Sequence, residues 1–136
     1  MPTRKADFEF SNFEVLLGLF HFWDSKGSQI SANIAILHPA IFFIAQLPRY
    51  KKFWRGCSFQ DRTFGKYCSV IEDWLFNMEM TSLICQTPDG DSYIVLPKLH
   101  TNWKNSEIRC FSKNELKLLE EMAKRLEERL RQIGTH

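Results

Sequence analysis

Arg49, Lys51, Lys52, Arg55, Arg62 and Lys66 fall in one stretch, Arg49 to Cys68, that contains a single acid, Asp61. The formal net charge of the whole chain is only +2, so the positive charge is local rather than global. Guanidinium and ammonium groups concentrated in this way create the field that neutralises phosphates. Tyr50, Phe53, Trp54 and Tyr67 interleave with the cations and either stack on bases or pack beneath the surface. Gln60, Arg62, Thr63 and Lys66 follow Ser58, where a helix start would aim them at base edges. The plainer reading of the same stretch is a solvated basic face over a core that uses the aromatics.

Other chemistry is sparse. The four cysteines, Cys57, Cys68, Cys85 and Cys110, are spaced by 11, 17 and 25 residues, and no CxxC pair occurs. His21, His38 and His100 are scattered. Structural zinc sites use close ligand pairs, so no metal site is expected. Buried, inert thiols are the default for Cys68 and Cys85. Cys57 lies among cations, where a lowered pKa would suit a redox sensor. No nucleophile elbow, phosphate loop or HExxH motif is present, and Glu72 and Asp73, being adjacent, diverge on a helix. Neither catalysis nor a cofactor is expected. The first residues lack an apolar leader core, and the apolar run from Ile30 to Leu47 is interrupted by Asn33, His38 and Pro39. These features suggest a cytoplasmic chain with reduced thiols and no membrane partner.

The elements that would position these residues can be read from caps and periodicity. Ser11 and Glu14 form a capping-box pattern, Phe10 can staple onto Val15, and a helix should run from there to Ser25-Lys26-Gly27. Ile30 to Leu37 suits a strand or a helix, His38-Pro39 should break it, and a helix from Pro39 to Gln46 can follow. Ser58 and Asp61 suit the start of a helix running from about Phe59 to Asn77. Thr81–Thr87 and Ser92–Leu96 flank Pro88-Asp89-Gly90-Asp91, which predicts a β-hairpin ended by Pro97. Residues 98–110 carry no clear signal. Ser112 and Glu115 open a last helix, with Leu116, Leu119, Ala123, Leu126, Leu130 and Ile133 in steps of three and four. A seam that narrow predicts a coiled-coil partner, and dimerisation is favoured over internal packing.

The expected fold class is therefore mainly α with a β-hairpin (α+β). Residues 111–136 would form a long C-terminal helix and dimerisation element beside a domain at 1–110. The order of elements resembles a winged helix-turn-helix domain of the MarR and PadR families. The likeness rests on Lys66-Tyr67-Cys68-Ser69-Val70-Ile71-Glu72-Asp73-Trp74-Leu75 and on the segment Thr81 to Leu96. It implies a homodimeric transcriptional regulator that binds double-stranded DNA, or RNA by the same chemistry, with a recognition helix near 58–77 and a wing at 81–96. The pattern departs from those families at the wing tip, where Asp89 and Asp91 replace the usual cations and disfavour phosphate contact. Phe111 to Leu119, with the helix that follows, also resembles the last helix of a GAF-type sensor. That keeps a ligand-sensing or protein-interaction module without nucleic-acid binding as the alternative.

Overall fold

A computed structural model describes residues 10–24, 29–105 and 107–134. The protein is mainly helical, with small antiparallel sheets. Helix α1 spans Asn12–Asp24 and buries Val15, Leu16, Leu17, Leu19, Phe20 and Trp23. Its start uses half of a capping box: the Ser11 backbone N–H donates to Glu14 Oε1 at 2.5 Å. Phe10 does more than staple, since its ring stacks between Phe53 and Phe111 at 5.3 and 4.8 Å.

Strand β1 is short, Ile30–Ser31, and helix α2 runs Ile34–Ala45 behind an Asn33 cap whose side chain accepts the Ala35 N–H. The helix passes through Pro39 instead of starting there. A proline in a helix interior removes one backbone hydrogen bond and costs about 3 kcal/mol. Here burial of Leu37, Ala40, Ile41 and Ile44 offsets it, at about 1.5–3 kcal/mol for each large apolar side chain.

A 3-10 helix at Pro48–Trp54 leads to a second departure from expectation. Residues 60–67 do not begin a helix. They form a hairpin of β2 (Gln60–Arg62) and β3 (Gly65–Tyr67), with Gln60 opposite Tyr67, Asp61 opposite Lys66 and Arg62 opposite Gly65. Asp61 thus pairs across the strands with Lys66, at 2.7 Å, instead of capping. Gly65 has φ +129°, a conformation that glycine allows at little cost. The hairpin lies on α2, where Phe59 meets Phe42 edge-on and Tyr67 stacks on His38.

Helix α3 spans Ser69–Met80, with Cys68 at its N-cap position. It ends in a Schellman turn: Ser82 takes φ +64°, its N–H donates to Glu79 O, and Leu83 N–H donates to Met78 O at 2.9 Å. The expected hairpin follows as β4 (Ile84–Gln86) and β5 (Ser92–Val95). β1 adds to it, giving a three-stranded antiparallel sheet in the order β1-β5-β4. Ile30 lies opposite Tyr93, and Ile84 opposite Val95.

Pro97 ends the ladder and opens helix α4, Pro97–Asn105, whose Leu99 and Trp103 are buried four residues apart. A 3-10 turn at Glu107–Cys110 connects it to α5, Lys113–Gly134. Both halves of the Ser112–Glu115 capping box are made, at 2.8 and 3.1 Å.

The role expected for α5 does not survive its packing. Leu119, Ala123 and Leu126 are at most 1 % exposed and Leu130 is buried, against α1 and α2 of the same chain, with Leu116 half-buried at the edge of the same core. Met122 is buried beside them and widens the seam into an ordinary core-facing stripe. The face expected to meet a second copy is already covered. The Ile133 side chain lies outside the described residues.

Candidate functional site

The basic stretch is built on the 3-10 helix and the β2–β3 hairpin, and its aromatic residues point inward. Tyr50, Phe53 and Trp54 are buried, so they are core and are not available to stack on bases. The Trp54 indole N–H donates to Met122 Sδ at 3.3 Å, and the Tyr50 hydroxyl donates to Glu121 Oε1 at 2.5 Å. Burial, reinforced by the Glu121 carboxylate, pushes the Tyr50 phenol up to about 12.

Carboxylates answer three of the six cations. Arg49 meets Glu121 at 3.1 Å, Lys52 meets Glu115 at 3.2 Å, and Lys66 meets Asp61 at 2.7 Å. Lys51, Arg55 and Arg62 have no acidic partner among the described residues, and Arg62 instead lies over the Tyr67 ring, 5.0 Å from its centroid. Gln60 and Thr63 are exposed on the hairpin, and Gln60 accepts from Arg62 at 3.1 Å. The stretch is thus split between two elements, with half its charge locally balanced. Lys51, Lys52 and Arg55, with Trp54, Cys57 and Phe59, line an open groove of about 530 Å³.

A different surface stands out on α3. Ile71, Leu75 and Met78 face the core, and Trp74 is half-buried against Phe13, ring to ring at 4.9 Å. The opposite face carries Asp73, Phe76, Asn77 and Met80, at the i, i+3, i+4, i+7 spacing of a single stripe. Phe76 is 63 % and Met80 69 % exposed, the two most exposed large hydrophobics among the described residues. The helix contains Glu72, Asp73 and Glu79 and no Lys or Arg. Spacing in the sequence assigns Val70, Ile71, Trp74, Leu75 and Met78 to the buried side of this helix and gives Phe76 and Met80 no role, although their absence from that face was the available signal.

The β4–β5 turn is acidic and hydrogen-bonded within itself. Asp89 accepts from the Thr87 hydroxyl at 2.6 Å and the Asp91 N–H at 2.9 Å. Those bonds, the Thr87 hydroxyl first, hold its carboxyl below the usual range. An ionised tip of this kind repels phosphate.

Histidines far apart in sequence also meet. His100 Nε2 lies 2.7 Å from Asp24 Oδ2, and the two Nδ1 atoms of His100 and His21 are 2.7 Å apart, so one donates and the other accepts. Burial, with the neighbouring His100 and Lys104 charges, lowers His21 to about 4. This chain links α1 to α4. His38 is fully buried: its Nδ1 accepts the Cys68 N–H at 3.2 Å, which leaves Nε2 to donate to Glu72 at 3.0 Å. No group of three or more His, Cys, Asp or Glu residues suited to a metal ion occurs among the described residues, and none of their helices is long and apolar enough to cross a membrane.

No protein-family model matches the sequence, and no curated protein or solved structure matches the chain at a level that marks a relative.

Proposed function

We propose that this chain is a winged-helix-type domain that docks a partner protein through the exposed face of α3. The fold supports the first part. Helix, strand, helix, helix, strand, strand is the winged-helix order, and a sheet ordered β1-β5-β4 follows from it. The departure is the 3-10 helix and β2–β3 hairpin between α2 and α3, where a helix-turn-helix has a tight turn.

The observation that carries the second part is the pair Phe76 and Met80. In this topology α3 occupies the recognition position, and a helix that reads DNA presents donors and cations to the major groove. This one presents a phenyl ring, a thioether and carboxylates. Exposed aromatic and Met side chains are the residues that anchor protein interfaces. The partner's matching surface is apolar and rimmed by Lys or Arg. A second copy of α3 is a poor partner, because self-pairing sets Asp73 and Glu79 against their own kind.

The rival reading, a regulator that binds DNA, retains Lys51, Arg55 and Arg62 as its contacts. A salt titration against random-sequence duplex DNA, followed by fluorescence anisotropy, separates the two. Docking through α3 predicts no binding at low salt. Binding that falls steeply with salt, and that weakens in Arg55→Ala and Arg62→Ala, would overturn the proposal.

A further inference from the structure

We propose that the groove between the end of α2 and the 3-10 helix binds a small phosphate monoester with an aromatic body. The site uses none of the exposed α3 stripe, so it does not rest on docking there. The fold sorts the basic stretch. Glu121 and Glu115 of α5 answer Arg49 and Lys52, and Asp61 answers Lys66 across the hairpin. Lys51 and Arg55 are exposed, have no acidic partner among the described residues, and line the groove together with Lys52. No acid shares that lining. Side chains three apart on a 3-10 helix eclipse, so Lys52 and Arg55 leave it on one side. Cys57 also lines the groove but adds no activated thiol: the neighbouring Cys68 and burial push it up, against the expectation from the surrounding cations.

The wall that carries the cations is held from behind. Tyr50, Phe53 and Trp54 of the same 3-10 helix are buried. Asn12, only 8 % exposed, donates from Nδ2 to Phe53 O at 3.1 Å. Gly56 lets the chain pass this asparagine, because a Cβ there would overlap Asn12 Oδ1. The Cys57 N–H then closes onto Trp54 O at 3.0 Å. Phe59, half-buried on the other side of the groove, is set edge-on against Phe42. A backbone fixed in this way leaves little ordering to oppose binding.

Charge and shape select the ligand. A phosphate monoester carries a charge of roughly −1.5 to −2 near neutral pH, which matches the two unpaired cations, whereas a single carboxylate would leave one unanswered. The Arg55 fork can grip two phosphate oxygens, and Lys51 adds a point charge. Ala45, Pro48 and Phe59 offer the apolar part of the lining, against which a flat ring can pack. The volume of about 530 Å³ falls within the range of roughly 300–1,000 Å³ that small ligands occupy. Strongly salt-dependent duplex binding draws on roughly six to ten phosphate contacts, which two free cations cannot supply.

The test titrates the isotope-labelled full chain with phenyl phosphate and follows backbone amide shifts by NMR, with inorganic phosphate, phenol and adenosine monophosphate as separate arms. The expected result is a saturable change concentrated at Ala45 to Phe59. Inorganic phosphate should bind about ten-fold more weakly, and phenol should leave these amides unmoved. Lys51→Ala and Arg55→Ala should each weaken phenyl phosphate about ten-fold, and Arg62→Ala should leave it unchanged. Both altered side chains are exposed, so the variants should keep the wild-type spectrum elsewhere. Binding of adenosine monophosphate at the same amides would identify a nucleotide as the source of the ring, and its failure beside phenyl phosphate a simple aryl phosphate; either sustains the site. Shifts that do not saturate, equal affinity for phosphate and phenyl phosphate, or unaltered binding in both groove variants would overturn the proposal.

Discussion

Gly18 lies directly against Trp103: a Cβ built on the glycine would sit 2.8 Å from Trp103 Cη2 and 3.1 Å from Leu119 Cδ1. The missing side chain lets α1 sit close to both α4 and α5. Helix propensity alone favours alanine here by about 1 kcal/mol. Packing reverses that sign, because Trp103 is buried and cannot swing clear. Gly18→Ala should therefore destabilise the fold by about 1–3 kcal/mol in urea unfolding. A stabilised variant would mean that the three helices are not so tightly apposed.

The packing of α5 makes a second expectation specific. Leu126 is 1 % exposed inside the chain. Leu126→Ala should cost about 2–5 kcal/mol, and Leu126→Glu should prevent folding. Were the helix a seam between copies, Leu126→Glu would yield a folded chain of half the size, which gel filtration and circular dichroism would reveal.

Ser82 holds the left-handed position that ends α3, at φ +64°. Glycine takes that conformation without the Cβ penalty. Ser82→Gly should raise stability by up to about 1 kcal/mol, read as a shift in the urea midpoint with an unchanged slope.

The His21–His100–Asp24 chain predicts a loss of stability in acid. His21 titrates near 4 in the fold, against 6.5 for the free side chain, so between those values the unfolded chain binds more protons. Stability conferred by this site is then complete above about pH 6.5, declines as pH falls toward 4, and declines no further below it. Discounted for partial solvent access, the effect is on the order of 1 kcal/mol. His21→Gln should flatten the pH dependence between 4 and 6.5, and an unchanged slope would exclude the site as its source.

How much of this was legible depends on range. The two Ser–x–x–Glu caps and the Pro88–Asp91 turn are local signals, and α1, α5 and the β4–β5 hairpin appear where those signals put them. Ser58 and Asp61 mimic a helix cap, yet Gly65 and the contacts of Phe59 and Tyr67 with α2 decide in favour of a hairpin. The seam of α5 was misjudged for want of one residue, Met122. Leu99 and Trp103, four apart after Pro97, were a readable helix signal that went unused. The meeting of His21 with His100 had no local trace, because 79 residues separate them. The exposure of Phe76 and Met80 was within reach of the sequence, since Ile71, Leu75 and Met78 were already on the expected core side of this helix.

The most direct measurement places a photo-crosslinking phenylalanine analogue at position 76 in cells that express the chain, with position 113 on α5 as control. The expected result is a discrete protein adduct from position 76 only, abolished by Met80→Asp. The captured protein, once purified, should bind the wild-type chain and fail to bind Phe76→Asp, whose own stability should change by no more than about 0.5 kcal/mol. Adducts with nucleic acid, or equal capture from both positions, would contradict docking through α3.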